Sequence, residues 1–430
     1  DLGPNKVIRL LQLGQFQTAL KSTTIWICVG CDTCAANCPM AIDIPAVMDI
    51  LRQYALTSGM TISMPEVSEL HSQILDSILR YGRTHKLEIM LRYKVKKRAW
   101  LEDMDVGLKM LSKRKLHLWP SKVKALSKIQ ENFTLPALLP GPRRLIMNVK
   151  PTPLAFFPGC SLATSAQENY DSLRSFCLEI GYQLHEIPDW NCCGTSSAHA
   201  VNSELAFELA CRNLALMHSY EQVLIACPSC FKRLKHAFHI LDQDDSARKR
   251  FEREWDTDFN PGLDLIPFLR FLAEQDVPSL LAQAEKRLHG LRFVPYYGCM
   301  LAYPPSMNQE PSMYGMMEKI MRELGAEPLI WSHAMKCCGT FLSVARPDLI
   351  TPLVNKIFAG ASHAGAECIV TACSMCHLNL EVRCTVRQAL PVFHFSELLA
   401  LAIGAGSKKD WFTRHLNDPR PLLRSKGLLQ

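Results

Sequence analysis

The sequence lacks several features that would have settled its class at once. No run of 18 or more apolar residues occurs, and the richest stretch, "LLALAIGAG" from Leu398, is too short to span a bilayer, so the chain is not expected to be transmembrane. It opens "DLGPNKVIRLLQL", with neither an initiator methionine nor a charged-then-apolar leader, so these residues carry no secretory signal. No glycine-rich fingerprint follows an apolar strand, which argues against a dinucleotide or flavin site within the chain. Motifs of nucleic-acid binding are also missing, and no nucleic-acid partner is expected.

What is present is an ordinary globular composition, 430 residues with 48% apolar and 21% charged, enough for two to four domains. The net charge of +7 is concentrated: between Arg80 and Lys128 there are fifteen Lys or Arg against four Asp or Glu. A solvated helical face, or an arm lying on a neighbouring protein, explains this better than nucleic acid.

The 18 cysteines are too sparse for a small disulfide scaffold and too clustered for scattered core thiols. Their spacing favours metal, hence a reducing compartment, and the cytoplasm is expected. The first group, "CVGCDTCAANCP", holds Cys28, Cys31, Cys34, Cys38 and then Pro39. C-x2-C-x2-C-x3-C-P is the bacterial ferredoxin run, in which close thiolates grip a [4Fe-4S] cubane. Zinc is the weaker alternative, because zinc C-x2-C pairs are normally separated by a long loop. Either Cys38 completes the same cubane, or it serves a second one whose other ligands lie upstream of Asp1 or on another chain.

Residues 1–135 read as a helical ferredoxin-like domain with a basic helical arm, and the Pro- and Gly-dense 136–153 as a linker. Beyond it the chain repeats itself. "LAFFPGC", a helix, a Cys-Cys-Gly turn, a helix, "QVLIACPSC" and a helix recur as "LRFVPYYGC" through "ECIVTACSMC" in the same order. Strands alternating with long helices predict α/β units with largely parallel strands. The expected fold is therefore α+β and multidomain: the N-terminal helical domain, then two pseudo-symmetric α/β domains at 154–290 and 291–430.

Each repeat carries five cysteines: Cys160, Cys192, Cys193, Cys227 and Cys230 in one, Cys299, Cys337, Cys338, Cys373 and Cys376 in the other. The spacings are C-x31-CC-x33-C-x2-C and C-x37-CC-x34-C-x2-C. Adjacent cysteines suit no ordinary disulfide between them and suggest two thiolates aimed at one polynuclear centre. Five thiolates exceed the four that zinc or a cubane needs. Gly194 and Gly339 would let the backbone turn beside such a centre. One zinc per repeat, held by four of the five, stays open as the alternative. The four remaining cysteines, Cys177, Cys211, Cys368 and Cys384, fall at apolar positions and read as buried thiols.

Both repeats resemble the Cys-Cys-Gly domains of the B-type component of heterodisulfide reductase, and the N-terminal part resembles the C-type component of that enzyme, as in fused forms of the two. The resemblance spans nearly the whole chain. It implies a noncubane [4Fe-4S] cluster on each five-cysteine set, beside one cubane, or two. Electrons would pass from the cubane to the two noncubane clusters, which would reductively cleave a bound disulfide into two thiols. The implied partner is a flavin-containing protein like the A-type component of heterodisulfide reductase, with the basic segment as a docking arm, and hydrogenase or formate dehydrogenase modules are further candidates. Similar proteins also conduct electrons in flavin-containing systems acting on glycolate, glycerol-3-phosphate or acyl-CoA substrates, and a zinc-stabilised interaction module is a third class. His199 is a weaker candidate as a proton donor, and Lys336 and Arg346 as contacts for an anionic substrate; structural roles compete for each.

Overall fold

The computed structural model describes residues 2–98, 102–132, 152–195, 197–275, 288–302, 313–405 and 410–429. Most of the expected linker lies outside the described residues. Residues 4–132 form helices only, the longest being Ile44–Thr57, Pro65–Tyr81 and Lys86–Lys97. Pro45 and Pro65, in the first turns of two of these helices, fit because the first turn has no hydrogen bond for their missing N–H to lose.

Two parallel sheets follow. In the first, strands β1 (Thr152–Phe157), β2 (Tyr182–Glu186), β3 (Gln222–Ile225) and β4 (Asp264–Pro267) lie in the order β2-β1-β3-β4. In the second, β5 (Arg292–Tyr296), β6 (Glu327–Pro328), β7 (Cys368–Thr371) and β8 (Val392–His394) repeat it as β6-β5-β7-β8. Every pairing is parallel, with Ala155 opposite Val223 and Phe293 opposite Cys368 in the two central pairs. Strands β3, β7 and β8 are short and almost wholly buried, as strands covered on both faces require. Strands β1, β3, β5 and β7 coincide with the apolar runs expected from the sequence. The outer strands β2, β4, β6 and β8 emerge only in the structure, and the charge-rich segment between the repeats includes a helix, Asp245–Trp255, whose Phe251 and Trp255 are buried.

In this strand order the chain leaves β1 in one direction and returns to β3 on its other side. The carboxyl ends of β1 and β3, and likewise of β5 and β7, therefore flank a topological switch point, where open α/β sheets place their sites. The helical N-terminal layer spans both repeats. Val7, Trp26, Met48 and Leu70 share a core with Leu342, Ile350 and Leu380 of the second repeat, while Leu75 and Ile78 pack with Leu205 and Leu209 of the first. Among the described residues no helix is long and apolar enough to cross a membrane.

Candidate metal centre

The two switch points are where the cysteines gather. Gly159 and Cys160 follow β1, and Cys227 follows β3 and precedes helix Pro228–Gln243, which carries Cys230 in its first turn. The loop after β2 supplies Cys192 and Cys193. The five thiols form one hydrogen-bonded chain, Cys160 to Cys192 to Cys193 to Cys230 to Cys227, with 3.2 Å between the Sγ atoms of Cys193 and Cys230. The second repeat places its five in equivalent positions but joins them differently. Cys299 and Cys337 are 3.8 Å apart, and Cys338 and Cys376 are 3.6 Å apart, with Cys376 bonded to Cys373. Cys337 also hydrogen-bonds Cys31 of the N-terminal motif.

The bond with Cys192 and those with Thr84 hold the Cys160 thiol down to about 7 against the cost of burial. Bonds from Cys192 and Cys230 take Cys193 well below the usual thiol value, while the bond to Cys160 drives Cys192, and the bond to Cys193 drives Cys230, well above it, burial adding to both.

The backbone is shaped around the sulfurs. Gly159 has φ +70°, and a Cβ there would stand 2.8 Å from the Sγ of Cys230; Gly298, at φ +64°, repeats this at 3.0 Å from the Sγ of Cys376. The Cys192–Cys193 turn is braced from outside. Asn191 Nδ2 donates to the carbonyls of Cys192 (2.8 Å) and Leu209 (3.0 Å), Asn213 Oδ1 accepts from the Asn191 N–H, and Arg212 ties Asn191 to Asp189. In the second repeat Asn379 Nδ2 donates to the Cys338 carbonyl at 2.7 Å. Gly194 and Gly339, singled out in the sequence, adopt φ +75° and +72°, and a Cβ on either would meet an apolar neighbour, Ala198 or Ile350.

All five cysteines of the first set line a cavity of about 230 Å³, walled by Ser343, Met375 and Leu378 of the second repeat and by Thr84, Met90 and Met110 of the N-terminal layer. No cysteine of the second set reaches it. Lys86 also lines it; burial brings its ammonium down to about 8 although Cys160 and Cys227 pull the other way. Lys86 Nζ hydrogen-bonds Ser165, and among the described residues no carboxylate pairs with it. Asp103 and Arg383, the other charged residues on the wall, neutralise each other through bonds of 2.8 and 2.9 Å. Of the basic segment, Lys86 and the buried Lys115 thus face inward. Lys96 and Arg92, by contrast, remain exposed.

The N-terminal motif lies on the loop from Cys28 to Cys38 around the short helix Thr33–Ala36. Cys28 and Cys34 each feel the Cys31 thiol, and Arg52 donates to the Cys28 carbonyl at 3.0 Å. An Asp32–Lys232 ion pair ties the loop to the first repeat. His199 is committed to Asp49 at 2.8 Å and its carbonyl to Gln53, so it braces the same junction. Arg346 pairs with Asp348 at 2.6 Å. Cys177, Cys211 and Cys368 are buried; Cys384 is only half-buried.

The comparisons agree with this geometry. The family described as the Cysteine-rich domain (CCG) matches residues 154–235 and 294–381. The chain carries two copies of the CCG cysteine-rich domain. Both matched stretches contain a complete five-cysteine set. Relatives of the CCG repeats include the 8-methylmenaquinol:fumarate reductase membrane anchor subunit of Wolinella succinogenes, 28% identical over 59% of this chain and 93% of its own length. The B-type component of the ferredoxin:CoB-CoM heterodisulfide reductase of Methanosarcina mazei is 23% identical over 58% of this chain and 89% of its own. A protein of Archaeoglobus profundus named for its likeness to the same heterodisulfide reductase component is similar to the same extent, 23% over 59% and 91%. A hypothetical protein from Helicobacter pylori shares the fold, with a TM-score of 0.50 and 12% identity over 86% of this chain and 79% of that one.

Proposed function

We propose that this CCG protein is the iron–sulfur catalytic subunit of a heterodisulfide reductase-like complex, in which electrons entering at Cys28, Cys31, Cys34 and Cys38 are used to split a disulfide into two thiols. The observation that carries the reading is the cavity: five sulfurs gathered in one largely apolar chamber, with the ammonium of Lys86 beside them. The residues fit the groups expected. One cubane would take the N-terminal motif, and a noncubane cluster each five-cysteine set, where sulfurs 3.2 to 3.8 Å apart stand as neighbouring ligands around a cluster would. Such clusters would supply single electrons and iron able to accept a thiolate.

The chain's own residues do the rest. The hydrogen bond between Cys31 and Cys337 puts the N-terminal motif in contact with the second set, which suits entry of electrons there and exit at the first set. Met and Leu side chains of the N-terminal layer and second repeat give the chamber a largely apolar lining. Splitting a disulfide takes two electrons and two protons, and Lys86 Nζ, with its value near 8, can hand one proton to a released thiolate. A flavin-containing partner, and hydrogenase or formate dehydrogenase modules behind it, would deliver the electrons.

The test is iron, zinc and acid-labile sulfide per chain on anaerobically purified protein, followed by turnover of a disulfide with an artificial donor. About twelve irons with matching sulfide, and thiol release without the flavoprotein, are expected; about sixteen irons would add a second cubane. About four irons with two zincs would sink the disulfide chemistry. A second reading keeps the clusters but makes the chain an electron conduit in a larger flavin-containing complex acting on another substrate. The similarity to a component of a menaquinol:fumarate reductase favours it, and iron-replete protein inert toward every disulfide would select it.

A further inference from the structure

Away from the cysteine chamber, the second repeat contains a wholly buried group of titratable side chains that the proposed chemistry does not use. We propose that His377, Glu397 and His415 form a separate, structural binding site for one divalent cation, zinc by the chemistry of the donors. Their ligand atoms all lie within 4.8 Å of one another. They come from three elements: the helix Ser374–Arg383, which continues from Cys373 and Cys376; the helix Phe395–Ala402; and the segment after Asp410–Arg414.

Both imidazoles are arranged as zinc ligands are. A metal-bound histidine gives its second ring nitrogen to a carboxylate or carbonyl oxygen, which fixes the ring and raises its basicity. His415 Nδ1 meets Glu381 Oε1 at 3.0 Å, and His377 Nδ1 meets Asn169 Oδ1 at 3.0 Å. His377 Nε2 is left buried with no hydrogen-bond partner, the nearest carboxylate oxygen being that of Glu381 at 3.7 Å. A buried ring nitrogen is seldom left unsatisfied without a reason. His415 Nε2 and Glu397 Oε1 stand 2.8 Å apart, a separation that two ligands of one small cation reach with slight opening.

Charge points the same way. Glu381 and Glu397 are both fully buried, and Lys115, the nearby buried lysine, is already paired with Glu168 at 2.5 Å. One imidazolium on His415 neutralises one carboxylate; a dication neutralises both. Two imidazoles and a carboxylate suit zinc, whereas magnesium and calcium prefer all-oxygen sites. Bound there, the ion would staple the C-terminal segment to the helix that carries Cys376. Through Asn169 it would reach the first repeat as well.

The experiment is zinc content together with zinc-edge X-ray absorption on the iron-loaded full chain, purified anaerobically from zinc-sufficient medium. About one zinc per chain is expected, with only nitrogen and oxygen neighbours at roughly 2.0–2.1 Å. Protein with its iron complement but no zinc would overturn the site while leaving the cluster assignment untouched. A zinc shell with sulfur at about 2.3 Å would place the metal in the cysteine sets and overturn both. Zinc with a nitrogen and oxygen shell in protein that has lost its iron would support the site and count against the clusters alone. The variant His377→Ala leaves both His415–carboxylate bonds in place and should lose zinc to a chelator at least tenfold more readily; retention equal to wild type would overturn the proposal.

Discussion

Gly159 offers the sharpest test of how the chamber is built. In G159A the new methyl would start 2.8 Å from the Sγ of Cys230, roughly 0.8 Å inside an ordinary contact distance. Ligand positions around a metal tolerate about 0.2 Å, so either the sulfur or the backbone after β1 has to leave its place. A left-handed φ adds about 1–2 kcal/mol for any residue with a Cβ, and that part can be removed with a control. Gly181 has φ +87° and nothing within 4 Å of its would-be Cβ, so G181A carries the backbone strain without the clash. G298A, with its contact to Cys376 at 3.0 Å, should behave like a milder G159A on the other set. We predict that G159A loses about four of twelve irons while G181A keeps all of them, although both melt at lower temperature than wild type. The readouts are iron and sulfide per chain beside thermal unfolding. Equal, full iron in G159A and G181A would refute the reasoning, because the sulfur would then not need the space that glycine leaves.

Three further outcomes follow from the same structure. K86M should keep its iron but release thiol at least tenfold more slowly, with loss of the limb of the rate profile near pH 8; an unchanged profile would remove Lys86 from proton delivery. D103N retains a residue tolerant of φ +53° but leaves Arg383 with only Ser343, at a cost of about 2–3 kcal/mol in chemical denaturation, and stability within error of wild type would mean the arm is held elsewhere. Burial pushes His71 down to about 3 and His199 down to about 4, so both are neutral when folded and take up a proton on unfolding below the ordinary histidine value. The unfolded state then binds more protons, and stability should fall as pH drops from about 6.5 toward 4, by up to about 2.7 kcal/mol per pH unit from the pair. An acid profile that is flat over this range, followed by urea unfolding, would contradict it.

The cysteine spacings grouped the residues that the fold gathers at the two switch points, because a set built from one residue type at fixed offsets survives reading without a structure. The central strands were legible for the same reason, since "LAFFPGC" and "ECIVTACSMC" are apolar runs ending in cysteine. The outer strands were not: β6 has two residues, and β4 ends a charged stretch whose polarity hides it. Lys86 was indistinguishable from its fourteen basic neighbours, because nothing local marks a lysine that tertiary packing turns inward. Gly159 and Gly298 sat beside cysteines in plain view. The glycines after the paired cysteines stand out in the motif, yet it is the ones before Cys160 and Cys299 that approach sulfur. The His377, Glu397 and His415 group spans 38 residues with no motif spacing and exists only once β8 is in place.

Several contacts join distant parts of the chain: Gln53 with His199, Asn169 with His377 and, on the chamber wall, Asp103 with Arg383 across 280 residues. None of these can form until the later partner has left the ribosome, and partners so remote in sequence find each other slowly. During synthesis the first five cysteines are therefore complete as a set well before they are roofed over. On the proposed function, a metal centre in the first set would have its access in that interval, before Asp103 and Arg383 meet.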